Sequence, residues 1–384
     1  MRLGRCLAAF AALVVAGSAV AESQPDPPYY QGVVEDAAPL QVDIHGHHYA
    51  LDALVVRKPG AERLPVALIT HGNTDGDPRS AGMDWLRGWA HELANRGWLA
   101  VAVMRRGYGR SEGEMFNDAG TCAAPDVGRY LDANADDLVA ALQAVALRPD
   151  ADMERVVAVG DSAGGAEVLD LAARGTLRLS AVVNVSGGLG RRESAFHPTP
   201  ECDAYTSDLV WNFARFGSTT RVPTLWLYAE NDSWFRPGLV SRLRAAYTGS
   251  GGQAELVELP PFGTDGHALF YGEGGKQRLL PELDRFLRAH GLPSWDKASF
   301  APLLARLSPS DRYGVESYLT AQPSEKALAL GPQGGAYWHQ GSATLEEARR
   351  GALAYCRKEV GADCRLAAEN YELMPSATVG AVPP

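Results

Sequence analysis

Residues 155–165, Arg-Val-Val-Ala-Val-Gly-Asp-Ser-Ala-Gly-Gly, decide the fold of this chain. The apolar run Val156–Val159 is typical of a strand buried on both faces of a parallel sheet. Residues 166–174 are mostly good helix formers, and Gly175 can end a helix. A Gly-x-Ser-x-Gly turn between such a strand and helix holds the serine, here Ser162, on a strained turn with its hydroxyl outside the sheet. The alternative is an ordinary tight turn whose serine caps the helix.

Strand-like and helix-like segments alternate on both sides of this stretch. The predicted strands are residues 66–70, 98–104, 156–159, 181–185, 224–228 and 254–259, and the predicted helices are residues 84–95, 133–147, 166–174, 239–247 and 276–289. Before them, residues 40–58 predict paired strands with a turn near Gly46. The alternation implies an α/β fold with a mostly parallel, doubly wound sheet and helices on both faces. Ligands bind such sheets at the carboxyl ends of the strands, where Ser162 is placed.

The first 21 residues have the pattern of a secretory signal peptide. Arg2 and Arg5 precede a short apolar stretch, and Ala19-Val20-Ala21 fits a cleavage site. The alternative, an uncleaved anchor, is disfavoured because the apolar run is shorter than a bilayer, and no later stretch is long and apolar enough to cross one. The pattern predicts a periplasmic or secreted protein without a membrane partner after cleavage.

The net charge of the chain and the histidines near residue 45 bear on which ligands the protein can bind. A formal net charge of −10 argues against nucleic acid or anionic lipid as a partner, and it does not identify a substrate. Three histidines within residues 45–48 are interpreted as surface residues rather than a metal site, because no carboxylate follows at helical spacing. The sequence implies no metal and no organic cofactor.

The cysteines predict disulfide bonds. Removal of the signal peptide takes Cys6 away and leaves Cys122, Cys202, Cys356 and Cys364. An even number in an oxidising compartment is consistent with two bridges. Among three connectivities, the pairs Cys122–Cys202 and Cys356–Cys364 are favoured, and four unpaired buried thiols are the alternative.

The chain divides into a signal peptide (1–21), a flexible segment (22–39), an α/β domain (40–292) and a small C-terminal module with a tail (293–384). An insertion at about residues 187–220 is rich in aromatic residues, which suit a lid or acyl pocket or, equally, the insertion's own small core. These are Phe196, Tyr205, Trp211, Phe213 and Phe216. A Cys122–Cys202 bridge would tie this insertion to the loop after Arg110.

Within the C-terminal module, residues 296–330 look helical with proline breaks and residues 331–341 look like loop. A helix is predicted from Leu345, because Thr344 and Glu347 form a capping-box pattern. Gly361 can end that helix.

A serine needs a base and a carboxylate to become a nucleophile, and in this architecture the chain order is serine, acid, histidine. His267 follows the last predicted strand directly. His290 instead lies at a helix end, and His339 lies in the C-terminal module. For the acid, Asp232 is preferred to Glu230, because a short carboxylate further round the turn can point towards the loop of His267.

The oxyanion of acyl transfer needs two converging N–H donors. One is the backbone N–H of Ala163, directly after the proposed nucleophile. The other is expected from the loop after strand 66–70, where Gly72 allows close backbone approach. The N–H of Asn73 is the first choice and that of Thr74 the second. A plain strand-exit turn is the alternative.

Taken together, these motifs resemble the α/β-hydrolase superfamily. They are Gly160–Gly164, His71-Gly72-Asn73, the turn Arg106–Ser111, Asp232 and Asp265-Gly266-His267. Within this superfamily, the order and residues of the motifs are most similar to those of dienelactone hydrolase-like and acyl-peptidase-like serine hydrolases, over about residues 40–290. The first group often uses cysteine as its nucleophile, whereas this chain has Ser162. The resemblance implies a structural role for Arg106.

Three functions are compatible with these residues. The leading hypothesis is an exported serine hydrolase that cleaves carboxylic esters through an acyl-enzyme. The second is an amino- or acyl-peptidase with the same triad, which the absence of a large domain before residue 40 disfavours. The third is a non-catalytic binding module on a hydrolase scaffold.

Overall fold

The computed structural model describes residues 32–60, 63–74, 76–190, 202–321, 325–361 and 363–378. The predicted signal peptide, residues 22–31 of the predicted flexible segment, part of the insertion and the end of the tail lie outside these residues. Phe196, one of the aromatic residues of the insertion, also lies outside them.

A large, mostly parallel sheet forms the centre of the molecule, as the alternation predicts. Its strand order is β1-β4-β6-β5-β7-β8-β9-β10; β1 and β4 run antiparallel to their neighbours, and β6, β5, β7, β8, β9 and β10 are mutually parallel. This is the α/β-hydrolase arrangement. The strands are β1 (Val34–Asp36), β4 (Ala53–Arg57), β5 (Leu64–Thr70), β6 (Leu99–Val103), β7 (Ala151–Asp161), β8 (Ala181–Val185), β9 (Pro223–Ala229) and β10 (Gln253–Leu259).

Helices cover both faces of this sheet. They are α1 (Asp84–Asn95), α2 (Val127–Val145), α3 (Ala163–Arg174), α4 (Asp203–Thr219), α5 (Pro237–Gly249) and α6 (Gly275–Ala289). Alternate side chains of each strand enter opposite cores: Leu68 packs with α2 to α5, whereas Ile69 packs with α1 and α6. Burial on both faces explains why the inner strands β5, β6, β8 and β9 read as continuous apolar runs rather than as alternating patterns.

The paired strands predicted before the sheet are a separate hairpin. Strands β2 (Leu40–Ile44) and β3 (His47–Leu51) pair antiparallel. The turn between them has positive φ angles at His45 (55°) and Gly46 (81°), and α2 packs against β2.

The C-terminal module is a small antiparallel sheet with helices. Its strand order is β12-β11-β13-β14. Its elements are α7 (Ala301–Leu304), α8 (Pro309–Thr320), β11 (Ala327–Gly331), β12 (Gly334–His339), α9 (Leu345–Val360), β13 (Arg365–Glu369), β14 (Glu372–Leu373) and α10 (Pro375–Thr378).

The interpretation of residues 327–341 as helix-like and then loop is wrong, because both ends of this stretch are strands. In β11 the leucines Leu328 and Leu330 face one core, while Ala327 and Ala329 face α9. Alanine favours helices in isolation, but here its small side chain lets a helix approach the sheet closely. Tertiary packing therefore overrides the local propensity.

The predicted helix from Leu345 is present as α9. The Thr344 hydroxyl accepts the backbone N–H of Glu347 at 3.2 Å, and the Glu347 carboxylate accepts the backbone N–H of Ala343 at 3.1 Å. Gly361 ends the helix in the left-handed region, with φ 64°. Cys356 on its buried face is bonded to Cys364.

Buried polar groups join the module to the main sheet's helices. The Tyr371 hydroxyl donates to the Glu92 carboxylate at 2.7 Å, and the guanidinium of Arg96 lies 4.8 Å from the Tyr371 ring centroid. Arg96 also forms a two-bond pair with Asp284 of α6, at 2.8 Å for each bond. In the described part of the chain, no helix combines the length and the apolar character needed to cross a membrane.

Candidate functional site

Ser162 stands between β7 and α3 in a strained backbone conformation. Its φ is 53° and its ψ is −122°, a region that residues with a side chain rarely occupy. Its N–H donates to the carbonyl of Val185 on the neighbouring strand at 3.0 Å. This conformation lifts the side chain from the carboxyl edge of the sheet, as expected for the Gly-x-Ser-x-Gly turn.

The two glycines of the turn leave no room for a side chain. A Cβ on Gly164 would lie 2.5 Å from the carbonyl oxygen of His71. A Cβ on Gly160 would overlap the carbonyl oxygen of Gly164 itself. Because both obstacles are backbone atoms, they cannot move aside as a flexible side chain would.

His267 lies beside Ser162. It belongs to the 3₁₀ turn Gly266–Leu269 after β10, and its Nε2 is 3.0 Å from the Ser162 Oγ. Asp265 holds this turn, because its Oδ1 accepts the backbone N–H groups of His267 and Ser233, each at 3.0 Å. These two bonds join the histidine loop to the loop after β9.

Asp232, in the loop after β9, reaches the other side of the imidazole. Its Oδ2 is 3.2 Å from the His267 Nδ1, and its Oδ1 accepts the backbone N–H groups of Trp234 and Phe235 at 2.9 Å each. The Asp232 side chain is buried, whereas Glu230, the competing acid, is exposed. The structure thus brings Ser162, His267 and Asp232 together and leaves Glu230 apart.

The other candidate histidines lie elsewhere. His290 follows the end of α6 and packs its ring against Phe286, with centroids 4.6 Å apart. His339 ends β12 of the C-terminal module. At the hairpin turn, the His45 Nε2 lies 2.8 Å from a carboxylate oxygen of Asp136. Among the described residues there is no group of three or more potential metal-ligating side chains.

Neighbouring carboxyl groups set the protonation of the site. Burial lowers the pKa of His267, but the hydrogen bond and charge of Asp232 outweigh it and raise this pKa above its ordinary value of 6.5. Burial raises the pKa of Asp161, directly before Ser162, to about 7. Asp161 also contributes to the raised pKa of His267 through its charge.

The loop after β5 lies against Ser162. A Cβ on Gly72 would be 2.6 Å from the Ser162 Cβ, so glycine is needed for this approach. Asn73 and Thr74 follow in the same loop. Ala163, the first residue of α3, has no intrahelical acceptor for its N–H. Both expected oxyanion donors, Ala163 and Asn73, therefore belong to segments that adjoin Ser162.

Sequence reasoning missed a buried polar cluster beneath this loop. Arg105 is fully buried and pairs with Glu167 of α3. The Asn73 Oδ1 accepts the hydroxyl groups of Tyr108 and Tyr130, at 3.0 and 2.8 Å. The one available signal was an arginine directly after a strand predicted to be buried, because a buried arginine requires partners.

Arg106, next to this cluster, has the structural role that the resemblance implies. Its Nε lies 2.5 Å from an Asp137 oxygen on α2, and its Nη2 donates to the Ala133 carbonyl at 3.0 Å. It therefore fastens the turn after β6 to α2.

The described part of the insertion is the helix α4. The bond between Cys122 and Cys202 ties its start to the loop at residues 120–125, as the favoured pairing expects. Tyr205, Phe213 and Phe216 are buried in the main core, whereas Trp211 is 61% exposed. The three buried rings pack as core side chains.

Aromatic rings also surround the imidazole and the loop. Trp234 and Phe235 lie 5.8 and 5.6 Å from the His267 ring, measured between centroids. On the other side, Tyr271 is 5.6 Å from Trp85 and is 43% exposed. The Tyr271 hydroxyl accepts the backbone N–H of Gly72 at 3.2 Å.

No family model matches the chain. Among solved structures, it is similar to a putative dienelactone hydrolase from Klebsiella pneumoniae, with 18% identity over 68% of this chain and 99% of that one, and a TM-score of 0.44. It is also similar to Est1E from Butyrivibrio proteoclasticus, which was solved with bound ferulic acid, with 15% identity over 65% of this chain and 98% of that one, and a TM-score of 0.46. An acylaminoacyl peptidase from Pyrococcus horikoshii shares 14% identity over 70% of this chain but only 44% of that one, with a TM-score of 0.49.

Proposed function

We propose that this chain is an exported serine hydrolase that cleaves carboxylic esters through an acyl-enzyme. The observation that carries the proposal is the line of three side chains formed by Ser162, His267 and Asp232. The Oγ–Nε2 distance is 3.0 Å and the Nδ1–Oδ2 distance is 3.2 Å. In this line the carboxylate favours the tautomer with its proton on Nδ1, which leaves Nε2 free to accept the serine proton.

In the acylation step, the Ser162 Oγ attacks the ester carbonyl carbon while its proton passes to the His267 Nε2. The carbonyl oxygen becomes an oxyanion, and the N–H groups of Ala163 and Asn73 donate to it. The C–O bond to the alcohol then breaks. The proton on Nε2 passes to the leaving oxygen, so the alcohol departs neutral and the acyl group stays on Oγ.

In the deacylation step, water attacks the acyl carbonyl and gives a proton to the His267 Nε2. The second tetrahedral intermediate collapses by breaking the bond to Oγ, which recovers the proton from Nε2. Asp232 stabilises the imidazolium in both steps. The products are a carboxylic acid and an alcohol, and the chain's own residues supply every proton transfer.

We also propose residues 40–292 as the catalytic domain, with about 187–220 as an insertion within it, and residues 293–384 as the C-terminal module. Export to the periplasm or beyond is supported by the two disulfide bonds, Cys122–Cys202 and Cys356–Cys364, because such bonds persist in oxidising compartments. A small ester is the expected substrate, and a short peptide is the second candidate.

The test is covalent labelling and turnover with Ser162→Ala as the decisive variant. A fluorophosphonate probe should phosphonylate the wild type at Ser162 with loss of fluoride, which adds the mass of the probe less HF, and p-nitrophenyl acetate and butyrate should be hydrolysed. The variant should do neither, while Ser218→Ala, an exposed serine on α4, should match the wild type. An unlabelled, folded wild type would favour the binding-module hypothesis, and faster cleavage of peptide amides than of esters would favour a peptidase.

A further inference from the structure

Arg105 contacts three successive groups of the loop that follows β5. Its Nη2 lies 3.1 Å from the carbonyl oxygens of His71 and Gly72 and 3.2 Å from the Asn73 Oδ1. Its Nη1 donates to the Glu167 carboxylate on α3. One fully buried guanidinium thus connects the loop before the site to the helix that begins at Ser162.

His71 also contacts both Arg105 and the Gly72 carbonyl group. Its Nε2 accepts the backbone N–H of Arg105 at 3.1 Å, and its Nδ1 lies 2.6 Å from the Gly72 carbonyl oxygen. Burial, and next the charge of Arg105, lower the pKa of His71 well below its ordinary value. The imidazole is therefore neutral, with its proton on Nδ1, and both His71 and Arg105 donate to the Gly72 carbonyl.

The contacts of the Gly72 carbonyl group fix the direction of the expected oxyanion donor, the N–H of Asn73, because both belong to one planar peptide group. In a trans peptide the C=O and the following N–H point in opposite directions. The Gly72 carbonyl faces Arg105, so the N–H of Asn73 faces away from Arg105. Gly72 lies on the side of the loop that faces Ser162, because a Cβ built on Gly72 would be 2.6 Å from the Ser162 Cβ.

The preceding peptide group, between His71 and Gly72, is held both at its carbonyl and at its N–H. The His71 carbonyl accepts from Arg105, and the N–H of Gly72 donates to the Tyr271 hydroxyl at 3.2 Å. The next peptide is held only through its carbonyl by the described residues, because the N–H of Asn73 has no acceptor among them. Of the two adjacent amides, the one at Asn73 is available to a ligand.

We propose that Arg105, locked by Glu167, is the positioning residue of the oxyanion hole: it orients the Gly72–Asn73 peptide so that the Asn73 N–H faces the reacting carbonyl. This inference rests on the proposed ester hydrolysis at Ser162. Arg105 does not touch the substrate; it acts through the Gly72 carbonyl. A buried arginine is suited to this because its planar fork can donate to several oxygens in fixed directions.

The decisive variant is Arg105→Met, with Arg96→Met as its matched control. Both remove a fully buried arginine that is paired with carboxylates, but Arg96 lies between α1 and α6 rather than under the loop. Both variants should unfold at lower urea concentrations than the wild type. Only Arg105→Met should lose kcat, by about 10²-fold or more, with KM changed much less, as for removal of an oxyanion donor.

Two further readouts separate positioning from general damage. A trifluoromethyl ketone, which forms a tetrahedral oxyanion on the serine, should bind Arg105→Met more weakly in proportion to the loss of kcat. The acid limb of the pH–kcat profile should stay where it is, because it reports His267. If Arg105→Met does not fold, Arg105→Lys keeps a positive charge beside Glu167 but lacks the planar fork that reaches the His71 and Gly72 carbonyl groups, so it should lower kcat by about 10-fold or more; a folded Arg105→Lys with the kcat of the wild type would overturn the inference.

The outcomes distinguish this inference from the proposed function. If the wild type hydrolyses no ester and takes up no probe, the proposed function fails. If the wild type is active and Ser162→Ala is not, but folded Arg105→Met keeps kcat within about threefold of the control variant, a change too small for a lost oxyanion donor, the inference is wrong. A loss of trifluoromethyl ketone affinity equal in both arginine variants would also overturn it.

Discussion

The Nδ1 of His267 lies 3.2 Å from the Oδ2 of Asp232, while the other oxygen of this carboxylate is occupied by two backbone N–H groups. The carboxylate is therefore held in place from its own loop before it meets the imidazole. It can orient the ring and stabilise its charged form without moving, which is the arrangement that preorganised catalysis requires.

Replacement of this carboxylate should reduce turnover and change its pH dependence. In the wild type, activity should be lost as the pH falls through the pKa of His267, because the protonated imidazole cannot accept the serine proton. The hydrogen bond and charge of Asp232 raise this pKa, so Asp232→Asn should move the acid limb to lower pH. The same variant should lower kcat by about 10³- to 10⁴-fold, since the amide favours the wrong tautomer.

The measurement is kcat and kcat/KM with p-nitrophenyl butyrate over the pH range in which the protein stays folded. Glu230→Gln is the matched control, because Glu230 is exposed in the same loop. If Glu230→Gln lowered kcat and moved the acid limb while Asp232→Asn did neither, the acid would be Glu230 and not Asp232.

Asp161 should also affect the acid limb of the pH–activity profile. Burial raises its pKa to about 7, and its charge contributes to the raised pKa of His267. As the pH rises and Asp161 ionises, its charge holds the proton on His267, so the wild-type limb should be broader than a single titration. Asp161→Asn should move the limb to lower pH and give it the slope of one group. An unchanged, equally broad limb in Asp161→Asn would show that the two groups do not interact.

The glycines of the serine turn should differ sharply from glycines elsewhere. In Gly164→Ala the new Cβ would meet the His71 carbonyl oxygen at 2.5 Å, and we expect a loss of about 1–3 kcal/mol in the free energy of unfolding from overpacking. Gly238, in the first turn of α5, has nothing within 4 Å of such a Cβ. Gly238→Ala should raise the same free energy by about 0.4–1 kcal/mol. Urea unfolding measures both, and a destabilised Gly238→Ala beside an unaffected Gly164→Ala would contradict the steric account.

The two disulfide bonds should contribute unequally to stability. Cys122 and Cys202 are 80 residues apart, whereas Cys356 and Cys364 are 8 apart. A cross-link restricts the unfolded chain more when it closes a longer loop, which corresponds to about 4.5 kcal/mol for the first bond and about 2.5 kcal/mol for the second. Urea unfolding of the two double serine variants tests this order. A greater loss from Cys356→Ser/Cys364→Ser would mean that the unfolded-chain effect does not dominate.

Much of the fold was accessible from local sequence. Five of the six parallel strands are largely buried on both faces and therefore appear as apolar runs, whereas the edge strand β10 is only partly buried. Helices α1 and α9 are marked by periodicity or by capping residues. The strands of the C-terminal module were missed, because β11 is built from alternating alanine and leucine, which have high helix propensity. Only the close packing of α9 on the two alanines explains why this segment is a strand.

For the site, the sequence alone determined the position of Ser162, because glycines at two fixed offsets are a steric requirement that the local chain must satisfy. It also places the proposed base and the proposed acid in loops that directly follow predicted strands. The sequence favours Asp232 over Glu230, but only the tertiary structure shows that Asp232 faces His267 and that Arg105 lies beneath the loop of Asn73. These relationships join residues far apart along the chain, and their distances depend on how the strands are ordered in the sheet, which no local pattern specifies.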